Sequence, residues 1–233
     1  MRTKLFILSL AVLLALSACA PSAANESTLN VTGSGTVYVT PDIAYIYIGV
    51  HTENSEIAQA VANNNTQTQA VVNALRNNGV EAKDIQTSNF SVWSYQTTDP
   101  LTGMATGTNY SVDNTVYVTV RDLSGLPSLL DTAIDAGANN INSISFDVAD
   151  KSSAMTEARQ LAMEKAGELA DELAGTAGLS LGGIQTITYS DVSTLYYGYG
   201  MGGGGGAEGA VSAPINPGQV QLTATVNVIY GIK

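Results

Sequence analysis

Alanine recurs at every fourth position, from Ala158 through Ala162, Ala166 and Ala170 to Ala174, beside Met155, Leu161, Leu169 and Leu173. Steps of four keep side chains on one face of a helix. Residues 153–174 are therefore predicted to form a helix whose small-residue stripe lets it lie close to its neighbour. No other stretch of the chain has so strong a helical pattern.

Much of the remainder reads as strand. Ala44, Ile46, Ile48 and Val50 alternate with Tyr45, Tyr47, Gly49 and His51, the period-two pattern of a strand with one buried face. Val31, Val37 and Val39 mark an earlier strand interrupted by Gly33-Ser34-Gly35, where a bulge or a close backbone approach is expected, and Pro41-Asp42 turns the chain. Ile57, Val61, Val71, Val72 and Leu75 predict a helix over 56–77, closed by Asn78-Gly79, although Asn63, Asn64 and Asn65 give its middle poor propensity. Strands at 85–97 and 107–121 flank Asp99-Pro100-Leu101-Thr102-Gly103, the pattern of a hairpin. A short helix at 124–136 accommodates Pro127 in its first turn and ends before Gly137. Strands at 141–148, at 184–191 after Gly182-Gly183, and at 220–229 complete the order β-β-α-β-β-α-β-α-β-β. The predicted class is α+β: a mostly antiparallel sheet of about seven strands with three helices packed on it.

The start of the chain has a different character. Arg2 and Lys4 precede an apolar run at 5–16, the order of a secretory signal, and twelve residues are too few to span a bilayer. Leu16-Ser17-Ala18-Cys19 resembles the lipobox of bacterial lipoproteins, with Ala18-Cys19-Ala20 as a plain cleavage site the alternative. Residues 1–18 are thus read as a lipoprotein signal peptide, Cys19 as the lipidation site, 19–28 as anchor and tether, and 29–233 as the domain. The expected location is extracytoplasmic. The anchor would lie in the outer membrane facing the periplasm, or on the outer face of the cytoplasmic membrane in a single-membraned cell. Without 1–18 the chain keeps seven basic against twenty acidic side chains, a net −13. So acidic a chain is not expected to bind nucleic acid or to dock electrostatically on anionic lipid. Cys19 is the only cysteine, so its acylation leaves no disulfide, thiol nucleophile or thiolate metal site.

Candidate chemistry is sparse. His51 is the only histidine, with no second histidine or thiol for a common zinc set, and surface or interface packing is the better reading. No Asp-x-Asp-x-Asp-Gly loop suggests calcium, and no Gly-x-Ser-x-Gly elbow suggests a serine hydrolase. Gly33-Ser34-Gly35 sits inside a strand and is no dinucleotide fingerprint. Asp122 beside Arg121 reads as a helix cap or local ion pair, and Asp150, Ser152 and Ser153 as caps of the long helix. No catalytic residue, cofactor or metal is assigned. Tyr196, Tyr197 and Tyr199 lead into the glycine-rich stretch at 202–206, within a loop of about 198–212 that reads as a disordered excursion between strands. With Trp93, Tyr95 and Tyr110 on the hairpin they form the expected interaction surface.

Taken in order, several stretches resemble the SIMPL-domain family of bacterial envelope proteins. They are Val31-Thr32-Gly33-Ser34-Gly35-Thr36-Val37 with Pro41-Asp42-x-Ala44, then Gly79-Val80 with Asp84-Ile85-Gln86-Thr87-Ser88-Asn89-Phe90, then Tyr110 and Asn114 with Val120-Arg121-Asp122-Leu123. Gly137-Ala138-Asn139, Phe146, the helix with Arg159, Leu161, Lys165 and Leu169, and Pro217-Gly218 follow. The resemblance implies a periplasmic or surface-anchored protein that assembles as a homo-oligomer, with a link to oxidative-stress tolerance that is indirect here because no thiol or metal cluster carries it. It supplies no catalytic residues. The expected role is structural and non-enzymatic. A small-ligand-binding lipoprotein using the aromatic and glycine-rich loops is the alternative, and a hydrolase with an unrecognised carboxylate site the third.

Overall fold

The computed structural model describes residues 27–196 and 215–233. Seven strands and three helices follow the expected order: β1 Thr28–Val39, β2 Ile43–Asn54, α1 Ile57–Asn77, β3 Ile85–Thr98, β4 Ala105–Val120, α2 Leu126–Asp135, β5 Asn140–Asp147, α3 Ser152–Ala177, β6 Leu181–Tyr196 and β7 Gln219–Ile232. The strands divide between two antiparallel sheets rather than lying in one. One sheet has the order β1-β7-β6 and the other β3-β4-β2-β5. Consecutive β1 and β2 therefore belong to different sheets, and the chain crosses between them at Pro41-Asp42.

Each sheet has its own helical cover. In the three-stranded sheet Val31, Ala224, Val226 and Val228 face the alanine stripe of α3. Ala158, Ala162 and Ala166 are wholly buried there, whereas Leu169 and Leu173 on the flanks stay partly exposed. The close-approach reading of the glycine pair is the correct one, since the register of β1 with β7 runs without a bulge from Thr28 to Val39. A β-carbon on Gly33 would stand 2.1 Å from the Ala162 carbonyl oxygen. Glycine on the strand and alanine on the helix thus bring the two backbones together.

In the four-stranded sheet Ala44, Ile46, Ile48, Val50, Val116, Val118 and Val120 point toward α1 and α2. Helix α1 meets them with Ala60, Asn64, Val71 and Leu75, while Ile57 is half exposed. The asparagine that weakens helix propensity has a structural task. Buried Asn64 donates from Nδ2 to the Val50 carbonyl at 2.8 Å and to the Val112 carbonyl at 3.1 Å, tying the helix to two strands. At the helix end Gly79 takes φ +91°, which glycine adopts without steric cost. Asp122 caps the 3-10 turn before α2, accepting from the N–H groups of Ser124 and Gly125. Arg121 turns instead to Asp84, from a distant part of the chain. At the start of α3 the N-cap is Lys151, with no side-chain capping bond. Asp150, one residue earlier, accepts from the N–H of Ser152 at 2.9 Å, and Ser152 and Ser153 lie within the helix rather than capping it.

Candidate functional site

Both α1 and α2 lie on one side of the four-stranded sheet, and among the described residues no helix covers its other side. Strict alternation along β2 sends Tyr45, Tyr47, Gly49, His51 and Glu53 to that open face. Cross-strand register then selects their neighbours: Tyr47 stands opposite Tyr117, Gly49 opposite Thr115, His51 opposite Asp113 and Glu53 opposite Ser111. From β3, Trp93 pairs with Ser111 and Tyr95 with Asn109, so both join the same face.

Two aromatic groups result. Tyr117 stacks on Tyr45 with centroids 5.4 Å apart and an interplanar angle of 17°, and meets Tyr47 at 5.1 Å and 55°. Nearer the hairpin tip, His51 and Trp93 lie 6.2 Å apart, tilted by 41°. Around this second group the polar side chains bind one another. His51 donates from Nδ1 to Asp113 Oδ1 at 2.7 Å, and its Nε2 is 3.3 Å from Glu53 Oε1. Tyr95 donates its hydroxyl proton to Glu53 Oε2 at 2.7 Å and accepts from Asn109 Nδ2 at 3.0 Å. The backbone of His51 is held as well: its N–H donates to Asn139 Oδ1 and its carbonyl accepts from Asn139 Nδ2, both at 2.7 Å. That side-chain amide acts as a strand neighbour just beyond the last β5 pairing, Gly49 with Asn140.

Electrostatics follow from the same contacts. The hydrogen bond to Asp113, aided by Glu53, holds His51 above the ordinary histidine pKa against a smaller lowering by burial. The bonds from Tyr95 and then His51 hold Glu53 below the usual carboxylate range. Asp113, His51 and Ser111 have the order of a hydrolytic triad, with Ser111 Oγ 3.5 Å from His51 Nε2. The chemistry does not follow the order. Nε2 lies nearer Glu53 Oε1, at 3.3 Å, and the 3.5 Å to Ser111 is at the outer limit of a hydrogen bond, so the serine is not held against a base. Ser111 is also only 1% exposed, flanked in register by Trp93 and Glu53. What the arrangement can do is hold rigid rings and hydrogen-bonding groups on an open surface.

Among the expected surface residues, Trp93 and Tyr95 share this face, but Tyr110 has the opposite parity on β4 and points to the helix side. The tyrosines of the glycine-rich loop, Tyr197 and Tyr199, the side chain of Tyr196 and the lipidation site Cys19 lie outside the described residues. Sequence reasoning missed Glu53, Asp113 and Asn139. Glu53 was within reach, two residues from His51 on one strand, whereas Asp113 and Asn139 become neighbours only through register. Among the described residues no group of three His, Cys, Asp or Glu side chains is arranged to hold a metal.

The second polar feature lies at the opposite end of the sheet. Arg121 donates from Nε and Nη2 to both carboxylate oxygens of Asp84, at 2.9 and 2.8 Å. Asp84 is buried and Arg121 half exposed, and the guanidinium holds the carboxyl below its ordinary pKa. This bidentate pair fixes the turn at Ala82–Asp84 to the end of β4.

Two antiparallel sheets, each backed by helix and linked by the β1–β2 crossing, define an α+β protein whose four-stranded sheet carries an aromatic face. Residues 29–230 match the family described as "SIMPL: Protein of unknown function (DUF541)", and the chain belongs to that family. It is 31% identical over 166 residues to "Uncharacterized protein YggE" of Escherichia coli K12, covering 68% of this chain and 65% of that one. It is 28% identical over 135 residues to the "26 kDa periplasmic immunogenic protein" of Brucella melitensis, covering 57% of this chain and 54% of that one. The match therefore spans between half and two thirds of the length of these relatives.

Proposed function

We propose that this chain is an extracytoplasmic envelope protein, held at a membrane by lipid on Cys19, whose role is non-enzymatic and depends on assembly with copies of itself. The location is supported by the leader pattern and by the relative whose name is periplasmic. A stress-related role for such a protein is indirect, since acylated Cys19 leaves no thiol to carry redox chemistry.

The observation that carries the assembly reading is the β3–β4 hairpin. Helix α1 packs on β2 and β4, and β3 beyond them leaves Phe90 and Val92 exposed on the helix side. Leu101 at the tip is 94% exposed and Met104 beside it 72%. An edge strand that is unpaired on its outer side among the described residues, with exposed apolar side chains, is a natural template for a second copy. Tyr110 shares that side. Light scattering on residues 25–233 is expected to give a mass well above the 24.1 kDa of one chain. Replacing Phe90 and Val92 together by Ser should return it to the mass of one copy. An assembly unchanged by that replacement refutes the hairpin contact, and a monomeric starting protein refutes the assembly.

A ligand-binding reading is favoured by a separate observation, the open aromatic face with its preset hydrogen bonds.

A further inference from the structure

We infer that the open face of the β3-β4-β2-β5 sheet binds a neutral glycan strand of β-linked N-acetylated amino sugars. A pyranose ring presents an apolar C–H face and an equatorial rim of hydroxyl groups. A surface that recognises it needs flat rings for the first and amide or hydroxyl groups for the second. Both are here, the rings from β2, β3 and β4 and the amide and hydroxyl groups from β4 and β5. Exposed rings stand at two places: Trp93 and Tyr95, neighbours on one side of β3, make one platform, and Tyr47, with the less exposed Tyr117 tilted 55° to it, makes the other. Tyr47 and His51 stand four residue steps apart on β2, about 13 Å along a strand, the length of a short run of sugar rings.

Between the platforms the floor is low and polar. Gly49 has no side chain, and a β-carbon there would meet Thr115 Oγ1 at 3.1 Å and the Asn140 β-carbon at 3.3 Å. Thr115 and Asn140 flank it in register, and Asn142, opposite Tyr47, donates to Asn140 at 2.8 Å; their remaining hydroxyl and amide capacity meets a ligand's hydroxyl and acetamido groups. The rings are held before any ligand arrives. Tyr95 is fixed by Glu53 and Asn109, and His51 by Asp113, so little side-chain freedom is lost on binding.

Charge selects among glycans. The face-directed positions of β2, β3, β4 and β5 carry no lysine or arginine, and His51 is already held between Glu53 and Asp113. Lys151 and Arg159 border the Tyr45 end but are paired with Asp147 and Asp191, and the net charge of −11 repels a phosphate, sulfate or uronate polymer. A second copy is the other candidate occupant, but the uncovered aliphatic and phenyl groups lie on the opposite side of the hairpin. The glycan reading does not depend on assembly.

Trp93 is the only tryptophan, so its emission reports on this face alone. Chitohexaose is titrated into the full chain in detergent micelles while that emission is followed. A saturable change is expected, weakened about fivefold or more by Tyr47→Ala, a removal of one exposed ring that leaves the reporter in place. Cellohexaose, which lacks acetamido groups, should bind more weakly than chitohexaose. Phe90→Ser with Val92→Ser should alter native mass and leave the titration intact, which separates the two readings. No saturable change, one indifferent to Tyr47→Ala, equal binding of cellohexaose, or a change traced to altered native mass would each overturn the proposal. Circular dichroism matching the parent chain verifies that Tyr47→Ala is folded.

Discussion

A β-carbon placed on Gly35 of β1 would stand 2.1 Å from the carbonyl oxygen of Ala158 in α3. No side chain fits that gap, and the atoms to be displaced are helix backbone rather than a flexible tip. Gly35→Ala is therefore expected to destabilise the fold by about 1–3 kcal/mol or more, the usual cost of overpacking. Gly175, exposed on α3 with nothing within 4 Å of its would-be β-carbon, is the control. There alanine should stabilise by roughly 0.5–1 kcal/mol. Urea unfolding of the three proteins measures both signs.

Asn64 predicts a cost of a different kind. Asn64→Ala removes its two hydrogen bonds to strand carbonyls, at 2.8 and 3.1 Å, in a fully buried position. The expected loss is about 1–3 kcal/mol, although alanine is the better helix former. A stabilised variant in the same unfolding measurement would mean that propensity outweighs the tie.

His51 is the only histidine, so its ring protons are unambiguous in a proton NMR titration. The midpoint should lie above the ordinary value of about 6.5, and Asp113→Asn should lower it by removing the main cause. The sign for stability follows. A folded pKa above the unfolded one gives a contribution fully present below about pH 6.5 that is lost as pH rises through the folded midpoint. The residue is partly exposed, so the effect on stability is small and the titration is the sharper measurement.

Asp84 titrates in the opposite sense. Its depressed pKa means that the pair with Arg121 contributes above the ordinary carboxylate range and fades as pH falls through the folded value. Arg121→Ala should lower stability at neutral pH, because it leaves the buried Asp84 carboxylate without its charged partner. The difference from the parent should shrink in acid. A gap independent of pH would assign the loss to packing.

Labelled palmitate fed to cells is expected in the parent chain and absent from Cys19→Ser. Equal labelling of the two would remove the lipid anchor from the proposed function, leaving the fold and its open face as they are.

Much of the fold is written in local pattern. Alternation along β2 separates Ile46 and Ile48 from Tyr45 and Tyr47 because strand side chains leave on opposite sides, whatever the neighbours. The alanine steps of α3 likewise mark its packed edge, and Asn78-Gly79 and Gly137 mark helix ends through the positive φ that glycine tolerates. The candidate site was less legible. His51 was visible as a lone histidine, but Asp113 is its partner because β4 runs antiparallel to β2 in one register, and a shift of one residue would send Asp113 to the other face. Asn64 read as a weak point of α1 because propensity is local, while its two carbonyl partners come from other elements.

Alternation and spacing along the chain were enough to say which residues are strand or helix and which side of each faces inward, since those properties depend on bond geometry and near neighbours. Dividing seven strands into two sheets, opposing Gly35 to Ala158, and setting His51 beside Asp113 and Trp93 required the packed molecule. Those contacts join residues dozens to more than a hundred positions apart, and close packing of whole surfaces, rather than any short stretch, selects among the pairings such a chain allows.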